Sequence, residues 1–352
     1  MSTTVWDNAL AAARLQEPDT VPVVLQIYSL NLKRYGLVKE YDYYHDLKLQ
    51  LEAKVAFQRR FPEVLMTNAL PEYGHELSLT ATGFGGKVRW MDDAPPWVGE
   101  YPIQSVEDVD RLIEAGVPDP RVDGTASEYL KQLEYFCDWF PRDLREEYGY
   151  VDGNVYPGTC VEGAALAMGY DRFMVWMRRH PNTLHRWLSL ATDFQLKVCE
   201  AIEEVVGPCR ILGIGDHIAS MMGREQFREF VLPYLNKTFE RYPRALRWWH
   251  NEGSVSHMLD EVDKINADVW HFGYKDDPAL CKQKTHFCLQ GNIHPPLFRE
   301  YTPQQVREEC WKIMAKASHG GGLWLSTGGG LAPETPFRNI EAMIEATKTK
   351  IA

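Results

Sequence analysis

The chain has 352 residues, 45% of them hydrophobic, and a formal net charge of -11. So much apolar material fills a large core, and the length suits two ordinary domains or one large α/β barrel. A surplus of carboxylates repels phosphate backbones, which excludes nucleic acid as a partner.

The opening stretch, MSTTVWDNALAAARLQEPDTVPVV, has no basic start followed by an apolar segment, so no signal peptide is expected. No stretch reaches the ~18 uncharged apolar residues of a membrane span. Short apolar runs then follow at intervals: VPVVLQIY (21–28), EVLMTNAL (63–70), YVDGNVYPG (150–158), RILGIGDH (210–217), LRWWHNEG (246–253), DVWHFGY (268–274), HFCLQGNI (286–293) and LWLSTGGG (323–330). Helical patterns separate them. Residues 171–206 hold two helices broken near Pro181, and 225–242 reads as one more. The last two, 302–318 and 335–350, each begin Thr-Pro, with Thr302 and Thr335 as caps and proline at the first helical position.

Strand–helix alternation predicts a parallel sheet covered by helices. The eight runs predict α/β architecture of the (β/α)8 TIM-barrel type, one domain over 1–352. Residues 70–149 read as an insertion with a hairpin or irregular loop before the third strand. The seven cysteines (137, 160, 199, 209, 281, 288 and 310) are odd in number and lack C-x-x-C spacing, which fits a reducing cytoplasm.

Several runs begin apolar and end with reactive groups: Gln26 and Tyr28, Asn68, Asp216 and His217, His250 and Glu252, His271, Gln290 and Asn292, Ser326 and Thr327. In a barrel these strand ends form the mouth where chemistry occurs. His250 and Glu252 lie two apart, so a strand points both to one side, above Trp248. Imidazole plus carboxylate is a normal zinc shell. The third ligand falls to Asp216 or His217, one of the two because neighbours in a strand face opposite ways, with Asp276 as a further candidate. The rival reading is a metal-free His–Glu pair in a polar pocket. TGGGLAPETP (327–336) reads as a tight turn before a helix. TGFGGK (82–87) lacks the third glycine of a dinucleotide fingerprint.

The stretches WMDDAPPWVGEYPIQSVEDVDRL (90–112), GTCVEGAALAMGYDRFMVWMRRHP (158–181), GIGDHIASMMGREQFREFVLPYLNKTF (213–239), HNEG (250–253), LQGNIHPPLF (289–298) and LWLSTGGGLAPETPFRNIEAMIEA (323–346) together resemble the uroporphyrinogen decarboxylase superfamily. That superfamily holds the decarboxylase itself and methyltransferases that act with corrinoid proteins. The decarboxylase's N-terminal arginine segment, which clamps porphyrinogen carboxylates, is absent from VVLQIYSLNLKRYG. Thiol-activating methyltransferases resemble His-x-Cys at the fifth strand plus a loop cysteine after the eighth. Here His250, Glu252 and a glycine of Gly328–Gly330 stand at those places, so both sulfur ligands are missing. A set of His and carboxylates resembles instead the members that demethylate methyl ethers, whose ligands are Glu, Glu and His. Glu229 precedes His250 by a similar distance, but within the helix 225–242, and position 214 is Ile.

The resemblance therefore implies a Zn2+-dependent methyltransferase. It moves a methyl group from a small methylated substrate, an O-methyl aromatic being one candidate, to a corrinoid (cobalamin) on a separate protein, since no D-x-H-x-x-G motif occurs in the chain. The expected ligands are His250, Glu252 and Asp216, with His217 as an alternative. Asp216 and His250 are the expected catalytic groups. Gln26, Tyr28, Trp248 and Asn292 are expected to shape the substrate pocket. A homodimer is compatible with this expectation. The alternative is a metal-free decarboxylase or lyase, in which Asp216 stabilises a protonated intermediate and His250 acts as acid.

Overall fold

The computed structural model describes residues 3–27, 40–72, 78–92 and 94–348. Tyr28 lies outside the described residues. The strands, in chain order, are β1 (Val23–Leu25), β2 (Val64–Met66), β3 (Lys87–Arg89), β4 (Trp97–Glu100), β5 (Asn154–Val155), β6 (Ile211–Gly215), β7 (Leu246–Asn251), β8 (Val269–Phe272), β9 (Cys288–Ile293) and β10 (Leu323–Thr327). All but the β3–β4 hairpin join one parallel sheet of eight, in the order β2-β1-β10-β9-β8-β7-β6-β5. Each of the eight apolar runs contributes one of these strands.

The strands are short and apolar on both faces, as a parallel sheet clad in helices requires. One face carries Trp249 and Trp270, stacked with ring centroids 5.6 Å apart and fully buried. The other face curls inward. Leu65 of β2, Asn154 of β5, Trp248 of β7 and Trp324 of β10 line one small interior cavity of about 30 Å³, together with Tyr156. Side chains from both ends of the strand row thus meet in one interior, which is the (β/α)8 arrangement. The Tyr150 hydroxyl ties the two row ends, accepting the Met66 N–H at 2.7 Å and donating to Gln58 Oε1 at 2.6 Å.

The helices follow the sequence with two corrections. The helix Pro181–Val206 starts on proline and buries Leu184, Trp187, Leu188, Ala191, Phe194, Val198 and Ile202, a stripe at three- and four-residue spacing. The segment read as one helix over 225–242 is two, Arg224–Phe230 and Leu232–Glu240. Pro233 lacks the N–H that a continuous helix needs and so opens the second one. Thr302 caps Pro303–Ala317 as expected, in a capping box with Gln305. Thr335 does not cap: its hydroxyl donates to the Ala332 carbonyl at 2.7 Å, and the last helix begins at Phe337. The insertion holds the antiparallel β3–β4 hairpin and the helices Val106–Ala115, Ala126–Trp139 and Arg142–Tyr148. No helix among the described residues is long and apolar enough to cross a membrane.

Candidate metal centre

Register places the reactive residues on one inward-facing surface. Gly215, His250 and Trp248 follow from β6 and β7, where Gly215 pairs with His250. His250 pairs with His271 of β8, and His271 with Gln290 of β9, which pairs with Trp324 of β10. Trp324 lines the interior cavity, so this whole row faces inward.

His250 lies flat on Trp248, with centroids 5.4 Å apart and 7° between planes. Burial, reinforced by His271 and His217, holds its pKa well below the usual value, so the ring is the neutral imidazole that a metal requires. Its Nδ1 is 2.9 Å from Nδ1 of His271, whose Nε2 is 3.0 Å from the Thr327 carbonyl. A carbonyl can only accept, so His271 Nε2 carries the proton and its Nδ1 is bare. His250 Nδ1 must then donate, which leaves the lone pair of His250 Nε2 facing the mouth. The Gly329 N–H, 3.2 Å from His271 Nε2, fits only the opposite tautomer, and the shorter Thr327 contact decides between them. His250 Nε2 is buried and has no hydrogen-bond partner among the described residues.

His217 reaches the same opening because β6 ends at Gly215 and the chain turns into the short 3-10 segment His217–Met221. Its Nδ1 donates to Glu162 Oε2 at 2.8 Å, and its backbone N–H donates to the same oxygen at 2.7 Å. Nε2 is thereby left for another ligand. Burial works against charge on His217, but the Glu162 hydrogen bond and carboxylate outweigh it and raise the pKa. Glu162, 3% exposed, also accepts the Tyr170 hydroxyl at 2.5 Å. Burial alone would favour its neutral form; the bonds from His217 and Tyr170 reverse that and keep it a carboxylate.

Glu252 stands just past the end of β7. Its Oε2 is 3.9 Å from His250 Nε2, too long for a hydrogen bond and short enough for two donors to share a cation. One ligand atom each from His217, His250 and Glu252 lie within 4.8 Å of one another. Burial raises the Glu252 pKa, with His217 opposing. The loop after β10 makes room for this carboxylate. A Cβ on Gly329, whose φ is +122°, would land on the Glu252 carboxylate. A bare buried nitrogen lone pair beside a carboxylate is electrostatically unfavourable until a cation lies between them. The donor set and the space reserved for it both fit a divalent metal.

Asp216, expected as a ligand, is elsewhere. Its two oxygens accept the backbone N–H groups of Val161 and Glu162, at 3.1 and 2.9 Å. Burial and then the Glu162 charge push its pKa up to about 8. The structure gives Asp216 the job of holding the helix Val161–Leu166, and so Glu162, against the strand end. Asp276 is likewise engaged, accepting the Val255 N–H at 3.0 Å and the Ser254 hydroxyl. Asn292 spends its N–H groups on the Gly273 and Asp276 carbonyls and so pins the loop after β8. Trp248 forms the floor under His250 and donates its indole N–H to Gln290 Oε1 at 2.7 Å. Gln26 is buried at the end of β1 with Oε1 unpartnered among the described residues. Glu162 and Tyr170 were not legible as site residues; their one signal is a carboxylate placed seven residues beyond β5, where a loop returns to the mouth. His271 was visible as a mouth group, but its part as the backing of His250 needs the register.

A family model described as uroporphyrinogen decarboxylase (URO-D) matches residues 4–350. Among curated proteins, a uroporphyrinogen decarboxylase of Chlorobaculum tepidum is 24% identical over 267 residues, 71% of this chain and of its own. That of an Anaeromyxobacter species is 24% identical over 288 residues, 79% of this chain and 76% of its own. A solved structure, a methyltransferase from Methanosarcina mazei, superposes with a TM-score of 0.78 over 99% of both chains at 20% identity, a likeness of fold.

Proposed function

The chain belongs to the uroporphyrinogen decarboxylase (URO-D) family, and from that premise we propose that it is a zinc-dependent methyltransferase. It takes a methyl group from a small methylated substrate, an O-methyl aromatic ether as the leading case, and passes it to a corrinoid on a separate protein that docks over the barrel mouth. The observation that carries this reading is the bare, buried Nε2 of His250 facing His217 and Glu252.

Those three residues would hold the ion, and three protein donors leave a fourth position for substrate. Zinc bound there would supply a Lewis acid for the ether oxygen, whose leaving charge is otherwise the main barrier. The chain's own part is to fix the donors. The Thr327 carbonyl and His271 set the tautomer of His250, and Trp248 holds the plane of its ring. Glu162 sets the tautomer of His217. Glu252, with its side chain 44% exposed, borders the approach from solvent and adds a hard oxygen donor. The Methanosarcina mazei protein that shares this fold is a methyltransferase, which lends support to this reading.

The decarboxylase reading draws on the names of the curated relatives. It asks Asp216 to meet the substrate, and both Asp216 oxygens already accept backbone N–H groups.

Metal analysis tests the proposal. Purified wild type should carry about one zinc per chain, and His250→Ala and Glu252→Ala should lose it. Methyl transfer from 2-methoxyphenol to cob(I)alamin should require the zinc-loaded form. A metal-free wild type that decarboxylates uroporphyrinogen at full rate would overturn it.

A further inference from the structure

Along one arc of the sheet, on β1, β10 and β9 and, across β8, on β7, lie buried polar atoms that nothing in the described residues satisfies. They are Gln26 Oε1 at the end of β1, Ser326 Oγ on β10, Gln290 Nε2 on β9 and His250 Nε2 on β7. Gln26, Ser326, Gln290 and His250 are 9%, 0%, 0% and 3% exposed. Register puts all of them inward. Gln290 and His250 lie in the row that ends at Trp324, and Ser326 is two residues beyond Trp324 on the same face. Gln26 is two beyond Val24, which pairs with the inward Leu65. Leaving a buried donor or acceptor unpaired is costly, so such a cluster in one opening marks a place where a ligand completes the bonding. Thr67 is set apart, since it borders the 30 Å³ interior cavity, sized for a water.

The chemistry of the arc is legible atom by atom. Trp248 donates to Gln290 Oε1, and an indole N–H can only donate, so the Gln290 amide has its oxygen on Trp248 and its N–H groups left without a partner among the described residues. That group asks for an acceptor. Gln26 Oε1 asks for a donor, and the Ser326 hydroxyl takes either. None of these groups is charged. Gln26, Gln290 and Ser326 cannot carry a positive charge, so the arc has nothing to pair with an anion.

We propose that this arc of Gln26, Gln290 and Ser326 is the substrate-binding surface beside the His217–His250–Glu252 cluster, and that it selects a small uncharged molecule bearing both a hydrogen-bond donor and an acceptor. The inference rests on the site assigned above and names its substrate class. It sets the protein apart from a handler of polycarboxylates.

The test uses two matched probes, 2-methoxyphenol and 2-methoxybenzoate, which differ in a neutral against an anionic group at one position. Calorimetric titration is run on zinc-loaded and on metal-free protein, because the metal-free arm separates capture of a carboxylate by the ion from capture by the arc. The expected result is binding of 2-methoxyphenol that weakens about tenfold or more in Gln290→Met and in Ser326→Ala. Zinc content should stay at the wild-type level in both. Ser326→Ala should keep or raise the thermal midpoint, since the lost hydroxyl bonds to nothing; a structural hydroxyl would lower it.

Unchanged binding in both variants, failure of 2-methoxyphenol to bind, or equally tight 2-methoxybenzoate on metal-free protein overturns the inference. Methyl transfer from an anionic donor with zinc intact would sink this substrate class and leave the methyltransferase reading standing. Neutral ligands that bind the arc with no methyl transfer would do the reverse.

Discussion

Where the barrel strands begin, buried polar groups close on one another. The Trp324 indole donates to the Ala9 carbonyl, the Asn154 amide to the Gly149 carbonyl, and the Gln58 amide to the carbonyls of Phe61 and Val64. Arg247 takes both oxygens of Asp268. Where the strands finish, Gln26, His250, Gln290 and Ser326 each keep an atom with no partner among the described residues. Both ends use similar residue types. The difference teaches that polarity as such does not mark the functional end. The satisfied end stabilises the fold, and the unsatisfied end has the unused bonding capacity on which the proposed ion and ligand sites rest.

Variants on either side should separate these roles. Glu162→Gln removes the charge behind His217 while keeping its shape, and zinc affinity should fall about 10- to 100-fold by equilibrium competition with a chelator, with little change in the stability of the metal-free chain. A loss of stability without loss of zinc would place Glu162 on the fold-holding side. Tyr150→Phe should do the opposite. It strands the Met66 N–H and costs about 1–3 kcal/mol in denaturant unfolding, with zinc content untouched.

A control outside both ends has the smallest effect. The Arg228 hydrogen bond, followed by that of Lys264, holds the Glu261 carboxyl down at about 2. A depressed acid stabilises the folded chain above its unfolded pKa of about 4.3, and the gain disappears as pH falls toward the folded value. Wild type and Glu261→Gln should therefore differ modestly at neutral pH in denaturant midpoint and converge between about pH 4 and 2. A difference that persists at low pH would mean that packing, not charge, is involved.

The sequence showed the fold well because strand–helix alternation and apolar runs are local signals. Eight runs became eight strands, and the hairpin of the insertion fell where irregularity was read. The helix ends were less legible. Pro233 sits inside a good apolar periodicity, and only the missing N–H divides it. At the site, two-residue alternation joined His250 to Glu252. The expected set put Asp216 ahead of His217, and the structure brings His217 to the cluster instead, because the choice depends on where the backbone leaves the strand. Asp216 faces the returning helix and His217 comes after the turn. Glu162 and His271 stand behind the proposed ligands, and those contacts exist only once distant segments are in register.

Gly329 carries one more consequence. The Glu252 carboxylate occupies the volume that any side chain at position 329 would claim. A sulfur donor cannot be placed at position 329 by a single exchange, because Gly329→Cys would displace the Glu252 carboxylate. For the proposed centre, exchanging an oxygen donor for a thiolate at position 329 would therefore take a paired change at 252 and 329.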